Sequence, residues 1–310
     1  MNRPSRSSTG DLVPDSTVRV GIVIRTKDRP ILLARALHDV AAQSFPSWAA
    51  VVVNDGGPRG PVDAVIDALP EGVRRKVEVI HHTESLGRSA SANVGVRALS
   101  CEFVVLHDDD DLWHPEFLAG SVEWLDSHPS DIGVVSRTEI VYERVEGTTF
   151  VETSRAPFWA DLAQITYADM LQVNRFVPIA YVYRRAVHDE VGLYREDVHA
   201  AEDWEFNLRV LRYHSIGFID GEPKAYWMQR RASTGALGNS MFVLASEHEY
   251  YDKLIRDEAL REFAQKHGDG IMLYLSRYIQ DEVARQLDER RPISRRINTA
   301  LRAWRRRFTS

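Results

Sequence analysis

Residues 103–115 read Phe103-Val104-Val105-Leu106-His107-Asp108-Asp109-Asp110-Asp111-Leu112-Trp113-His114-Pro115. Phe103–Leu106 is apolar without alternation, the pattern of a short strand covered on both faces. Four carboxylates follow at once, and Pro115 predicts a helix over Pro115–Ser127. The same grammar holds upstream. Strand-like runs at Val18–Ile24, Ala49–Val53 and Lys76–Ile80 alternate with helical segments at Pro30–Ala42, Val62–Leu69 and Ser89–Leu99. Asp28 and Pro30 stand where the first helix would take a cap and a first-turn proline. Strand and helix in alternation predict an α/β fold with a parallel sheet and right-handed crossovers. Downstream the pattern loosens. Strands are expected at Gly133–Val145, Thr148–Val151, Ala180–Tyr183, Ile216–Ile219 and Lys224–Trp227, and helices at Tyr167–Val173 and Asp203–Tyr213. Residues 228–240 have the Gly and Ser content of a loop, and helical periodicity follows to the end.

The acid run carries the first chemical signal. Crowded carboxylates repel one another, which raises some of their pKa values. A divalent cation removes that cost. Mg²⁺ and Mn²⁺ prefer oxygen ligands, and Mg²⁺ commonly takes one or two carboxylates plus substrate phosphates. The carboxyl edge of a parallel sheet is also where open α/β folds bind ligands. A helix cap would explain Asp111, but one cap needs one acid, so the cluster is expected to hold metal. Asn54-Asp55-Gly56-Gly57 ends the second strand in the same manner, where a tight turn can present Asp55 to a ligand or simply reverse the chain.

Composition bounds the rest. The chain has 310 residues, 44% hydrophobic and 27% charged, the balance of a globular protein. Its net charge of −6 excludes a globally basic nucleic-acid binder. That mean hides a split, because residues 290–310 carry eight arginines and no acid, leaving −14 elsewhere. The single cysteine, Cys101, excludes an intrachain disulfide and reads as a small buried residue. Residues 1–17 read as a mobile leader without a secretory signal. No stretch is apolar for long enough to span a membrane, so a cytoplasmic location is expected.

Five motifs in order resemble the family-2 glycosyltransferases with the A-type (GT-A) nucleotide-sugar fold. They are Thr26, Asn54–Gly57, Gly87-Arg88-Ser89-Ala90-Ser91-Ala92-Asn93-Val94-Gly95, Asp108–Asp111 with Trp113 and Pro115, and Glu202-Asp203-Trp204. The likeness runs from about Val18 to Trp227. It implies a single GT-A-like doubly wound mixed sheet over 18–227, with a loop, a helical extension and a basic tail over 228–310. It further implies that Thr26 and Asp55, with Asp28 nearby, contact the base and ribose of a nucleoside diphosphate sugar. Arg88 approaches the base or diphosphate. Asp108 and Asp110 match the outer acids of the family's Asp-x-Asp pattern and would hold Mn²⁺ or Mg²⁺, Asp110 more directly, with Asp109 between them on the donor side. Asp203 matches the catalytic base.

Elementary chemistry agrees with those roles. Glycosyl transfer needs charge stabilisation at the departing diphosphate and proton removal from the incoming hydroxyl. Asp203 opens a helix, whose dipole favours an ionised carboxylate. One base and no enzyme nucleophile suffice for a single displacement, which inverts the anomeric centre. Arg230 and Arg231 can match diphosphate oxygens bidentately, within a loop whose Ser233, Thr234, Gly235 and Gly238 would let it close. His81-His82 lack a second ligand pair and read as partly buried or surface groups. Trp113 and Trp159 could stack on a sugar, and core packing is expected for each.

In the tail, Ile293, Ile297, Leu301, Trp304 and Phe308 fall on one helical face among arginines. Such a helix suits an anionic membrane surface through 292–308, the protein's own acidic body or a second subunit, and not RNA. If it meets the inner face of the membrane, a lipid-linked or cell-envelope glycan becomes the natural acceptor. The donor is a UDP, GDP or dTDP sugar. Two rival readings are a sugar nucleotidyltransferase and a non-catalytic nucleotide-sugar-binding subunit. The first wants a glycine-rich phosphate loop where Arg25-Thr26-Lys27-Asp28-Arg29 has none. Retention of both the acid cluster and Asp203 argues against the second.

Overall fold

The computed structural model describes residues 18–230, 238 and 245–289. The leader 1–17, Arg231, Ser233, Thr234, Gly235 and the basic tail lie outside the described residues.

In chain order the first half runs β1 (Val20–Thr26), α1 (Pro30–Ala41), β2 (Trp48–Asn54), α2 (Arg59–Asp67), α3 (Glu71–Arg74), β3 (Val77–His81), α4 (Arg88–Ala98) and β4 (Phe103–Asp108). Then come β5 (Leu112–Trp113), α5 (Phe117–Ser127), β6 (Asp131–Ser136), β7 (Thr138–Glu146), β8 (Thr149–Pro157) and α6 (Tyr167–Gln172). A 3₁₀ turn at Pro178–Ala180 leads into β9 (Tyr181–Arg184), α7 (Val187–Val191), α8 (Glu202–Leu211), β10 (Ser215–Ile219) and β11 (Ala225–Gln229). Two helices close the described chain, α9 (Ala245–His267) and α10 (Gly270–Glu289).

Seven strands form the main sheet in the order β10-β6-β9-β4-β1-β2-β3. All pairs are parallel except those of β9, which runs antiparallel to both β4 and β6. The expected doubly wound mixed sheet is therefore present. Its centre is dry: every residue of β1 is buried, as a strand covered on both faces requires. Helix α1 turns Leu32, Leu33, Ala36, Leu37 and Val40 inward. Helix α4 packs through small residues, and a Cβ at Gly95 would collide with Val23 of β1. That glycine lets helix and sheet approach closely, which brings the N-terminus of α4 to the sheet edge.

Four further strands make a second sheet, β5-β11-β7-β8, which the chain pattern did not separate from the first. The expected strand Gly133–Val145 in fact breaks at Arg137. Its first half, β6, pairs with β10, and its second, β7, pairs with β11. Arg137 holds the corner by donating to Asp220 at 2.6 Å. Apolar residues on both sides of the break conceal the change of sheet. Two smaller expectations are also corrected. The predicted helix at Pro115 begins at Phe117, with Glu116 as its first flanking residue. Arg29, not Asp28, precedes α1, and Asp28 has left-handed backbone with φ 57°.

The chain divides into two compact units at Asp252/Lys253. No helix among the described residues is long and apolar enough to cross a membrane.

Candidate active site

The carboxyl ends of β1, β2 and β4 meet at one edge of the main sheet, because these three strands are adjacent and parallel. There the four acids that begin with the last residue of β4 each take a different main partner. Asp108 accepts from Arg25 Nη2 at 2.5 Å and Nε at 2.9 Å. Asp109 accepts from the Thr26 hydroxyl at 2.7 Å and faces Arg29 at 3.2 Å. Asp110 pairs with Arg230 at 2.6 Å, and Asp111 accepts the backbone N–H of Met228 at 2.9 Å. Asp111 therefore caps no helix; it ties the acid loop to β11.

Burial pushes all four carboxyls up, and their partners separate them. For Asp108 the charges of Arg25 and Arg88 outweigh burial and leave its pKa below the ordinary value. Asp109 has less cationic help and, with Asp110 beside it, is pushed up to about 7. Burial likewise leaves Asp110 raised and Asp111 well above the usual range. All four acids line one cavity or the other at this edge, and Asp108 and Asp110 line both. No group of three or more His, Cys, Asp or Glu side chains suited to a metal occurs among the described residues.

Two cavities open on this edge. One, of about 480 Å³, is walled by Arg25–Arg29, Asp55, Gly87, Arg88, Asp108–Asp110 and His199. The other, of about 550 Å³, holds Asp203 with Glu202, Asn174, Trp159, Trp204 and Trp227. They share Arg25, Arg88, Asp108 and Asp110. The expected donor-side residues Thr26, Asp28, Asp55, Arg88, Asp108 and Asp109 thus come together, and Asp203 lies across a common wall. Asp28, Trp159 and Ala201 are the described non-glycine residues with left-handed backbone, and all three line these cavities. Strain of this kind collects at functional sites.

Asp55 is held by four donors: Ser85 Oγ at 2.6 Å, Leu86 N at 2.7 Å, His82 Nδ1 at 3.0 Å and Gly87 N at 3.1 Å. Burial opposes its charge, yet these bonds hold its pKa below the ordinary carboxylate value. It fixes the loop leading into α4. His82 is therefore a buttress that the pair His81-His82 did not advertise, while His81 bridges Asn54 and Asp63.

Glu202, 4% exposed, bridges Arg25 and Arg88, each at 3.3 Å. Beside it, Asp203 accepts from Asn174 Nδ2 at 2.8 Å. Burial and then the charge of Glu202 push Asp203 up to about 6, against the Trp204 N–H, Arg88 and Asn174. The helix start does not prevail as the sequence predicts, because burial and a neighbouring charge outweigh it. Arg230 also departs from expectation. It is fully buried between Glu143 (2.7 Å) and Asp110 (2.6 Å) and lines neither cavity, so it supports the acid loop from behind. Trp113 packs in the core, stacked on Phe117. Trp159, expected there too, instead lines the Asp203 cavity. Sequence reasoning missed Arg25 and Asn174 as site residues. Arg25 had a signal, a cation ending a buried strand, whereas Asn174 sits in an irregular stretch with none.

The family model described as glycosyl transferase family 2 matches residues 21–192, more than half of the chain. The chain belongs to glycosyl transferase family 2. This glycosyltransferase is 29% identical over 255 residues to YwdF of Bacillus subtilis (strain 168), an uncharacterized glycosyltransferase, covering 81% of this chain and 88% of that protein. It is 24% identical over 269 residues to the poly(ribitol-phosphate) beta-N-acetylglucosaminyltransferase TarS of Staphylococcus aureus strain Mu50, covering 84% of this chain and 44% of TarS. Among solved structures, residues 1–349 of TarS with UDP superpose with a TM-score of 0.54 at 20% identity, over 82% of this chain and 75% of that one. The mannosyltransferase PcManGT of Pyrobaculum calidifontis, with GDP-Man and Mn²⁺, gives 0.55 at 18% identity, over 81% and 67%. These likenesses place the glycosyltransferase in the GT-A fold.

Proposed function

We propose that this glycosyltransferase is a metal-dependent, inverting enzyme that moves a sugar from a nucleoside diphosphate sugar to an acceptor hydroxyl. The observation that carries the reading is the pair of cavities joined across Arg25, Arg88, Asp108 and Asp110, with Asp203 on the far side of the shared wall. UDP in the TarS structure and GDP-Man in PcManGT support a nucleotide-sugar donor.

Thr26, Asp28, Asp55 and Arg88 would bind the nucleotide and diphosphate in the first cavity. The acceptor would enter the second, its hydroxyl toward Asp203. Asp203 takes the hydroxyl proton as the acceptor oxygen bonds to the anomeric carbon, and the bond from that carbon to the diphosphate oxygen breaks. A single displacement inverts the anomeric centre. Mn²⁺ or Mg²⁺ held by Asp110, with Asp108 beside it, would supply Lewis-acid stabilisation of the departing diphosphate, worth several kcal/mol. The donor set fits: crowded, buried carboxylate oxygens that a hard cation would relieve, too few for a closed protein cage and so suited to sharing a metal with phosphates. Arg25 keeps Asp108 ionised for that task. For location we propose the cytoplasm, with residues 292–308 meeting the inner membrane face, on the charge and apolar stripe of that segment.

Calorimetry with UDP, GDP and dTDP, each with Mn²⁺ and then EDTA, tests the donor half. One diphosphate should bind at micromolar strength with metal only. Binding indifferent to EDTA would remove the metal role from Asp110, and no binding at all would sink the reading.

A further inference from the structure

One feature of the second cavity belongs to none of the roles above. Phe158, Trp159 and Trp227 form a continuous aromatic wall, with Phe158 5.8 Å from Trp159 and 5.3 Å from Trp227 between ring centroids. All three line the Asp203 cavity and none lines the nucleotide-side cavity. Trp159 occupies φ 51°, a conformation a bulky residue adopts only when its surroundings impose it. Here they do. The Trp159 carbonyl accepts from Leu162 N at 3.0 Å and from Arg137 Nη1 at 3.4 Å, which fixes the turn. The Arg175 guanidinium lies 4.4 Å from the ring centroid and covers one indole face. A ring so held, at a backbone cost and beside a cavity, is preorganised for a flat apolar partner.

The rest of the cavity says what that partner is. Its described lining carries six carboxyl groups, those of Asp108, Asp110, Asp111, Glu202, Asp203 and Asp252, against two arginines. Both arginines are already paired, Arg25 with Asp108 and Glu202, and Arg88 with Glu202. An anionic acceptor unit would meet more carboxyl groups than cations, since Arg175 at the Trp159 ring already faces Asp169 at 3.8 Å, whereas hydroxyls can donate to the carboxylates. A polar rim around an aromatic face suits a pyranose, whose C–H face carries partial positive charge toward the π system.

We propose that the Phe158–Trp159–Trp227 wall is the acceptor subsite and takes the ring of an uncharged pyranose, presenting its hydroxyl to Asp203. The assignment rests on Asp203 being the base, and its test is separable from that reading.

Saturation-transfer NMR supplies the test, with methyl pyranosides of gluco, galacto, manno and N-acetylgluco configuration as probes and methyl glucuronoside as the anionic control. At least one neutral probe should receive saturation on its C–H protons, and the glucuronoside should not. Trp159→Gly removes the ring at a backbone angle glycine tolerates, and should weaken that probe about tenfold, while Trp159→Tyr retains it. Nucleoside diphosphate binding, followed by calorimetry, should be unchanged in both variants. No transfer from any neutral probe, or equal transfer in Trp159→Gly, overturns the proposal while leaving the donor reading intact. If Trp159→Gly instead weakens an intact nucleotide sugar but not its diphosphate, the wall holds the donor sugar and the acceptor assignment is wrong. Should Trp159→Gly fail to fold, Trp227→Leu carries the same expectations at the other end of the wall.

Discussion

Asp203 sits where burial and the charge of Glu202 hold its pKa at about 6, while Asn174 and the Trp204 N–H keep the ionised form accessible. A base is most effective when its pKa lies near the working pH without exceeding it. Asp203→Asn should lower turnover by about 10²–10⁴-fold while leaving nucleoside diphosphate affinity unchanged, as calorimetry and product release would show. Wild-type turnover should rise with pH and level off above about 6, since only the ionised form accepts the proton. Asn174→Ala removes a bond to that ionised form, so the acid limb should move upward. The sign reverses for stability. The folded state holds this proton more tightly than the unfolded chain, so stability from this group falls as pH rises through about 6. At pH 7.5, Asp203→Asn should therefore be more stable than wild type by up to about 3 kcal/mol, and the gap should narrow by pH 5.

The loop between β4 and β5 works as an element because other elements answer its charges. β1 supplies Arg25 and Thr26 to Asp108 and Asp109, and Arg230, just past β11, reaches Asp110 while Met228 meets Asp111. Arg230→Met would leave Glu143 and Asp110 short of a fully buried partner. Breaking a buried pair on one side costs about 3–5 kcal/mol, which urea unfolding would read as a lowered midpoint at constant slope. Helix α4 gives a second element-scale expectation. Alanine is the better helix former, by about 1 kcal/mol over glycine. Gly95→Ala should nevertheless destabilise by about 1–3 kcal/mol, because its methyl would meet the branched side chain of Val23 in a closed core. A rise in melting temperature for that variant would refute the close approach of α4 to β1.

At the scale of the molecule, the cavity proposed for the donor is assembled from chain segments far apart in sequence, Arg25–Arg29, Asp55, Gly87–Arg88 and Asp108–Asp110 with His199. A ligand bound there ties the carboxyl ends of β1, β2 and β4 to the start of α4. Whichever nucleoside diphosphate binds with Mn²⁺ should raise the unfolding free energy by about 2.7 kcal/mol at one hundred times its Kd, and EDTA should abolish the gain. Stabilisation by metal alone, undiminished when nucleotide is withheld, would mean that the acids hold the ion without a diphosphate.

Much of this arrangement was legible in the chain. Continuous apolar runs announce strands buried on both faces, and their alternation with helical periods dictates the parallel core around β1, β2 and β4. A covalently contiguous acid run at a strand end is a local fact, so Asp108–Asp111 could be marked as a site before any fold was known. What each acid does is not local. Asp109 and Asp111 differ in fate because Thr26 and Arg29 reach one and the Met228 N–H reaches the other, contacts across about 80 and 117 residues of chain. Arg230 reads as a solvent-facing phosphate ligand until tertiary packing buries it. Trp159 reads as core until its turn brings it to a cavity wall. Asn174 has no pattern around it at all. Hydrophobic periodicity and charge runs are properties of neighbours in sequence, and they determined the fold class and the acid-rich edge. Burial, ion pairing and pKa depend on neighbours in space, so only the tertiary structure decided which carboxylate stays charged, which arginine is buried between carboxylates and which aromatic lines the Asp203 cavity.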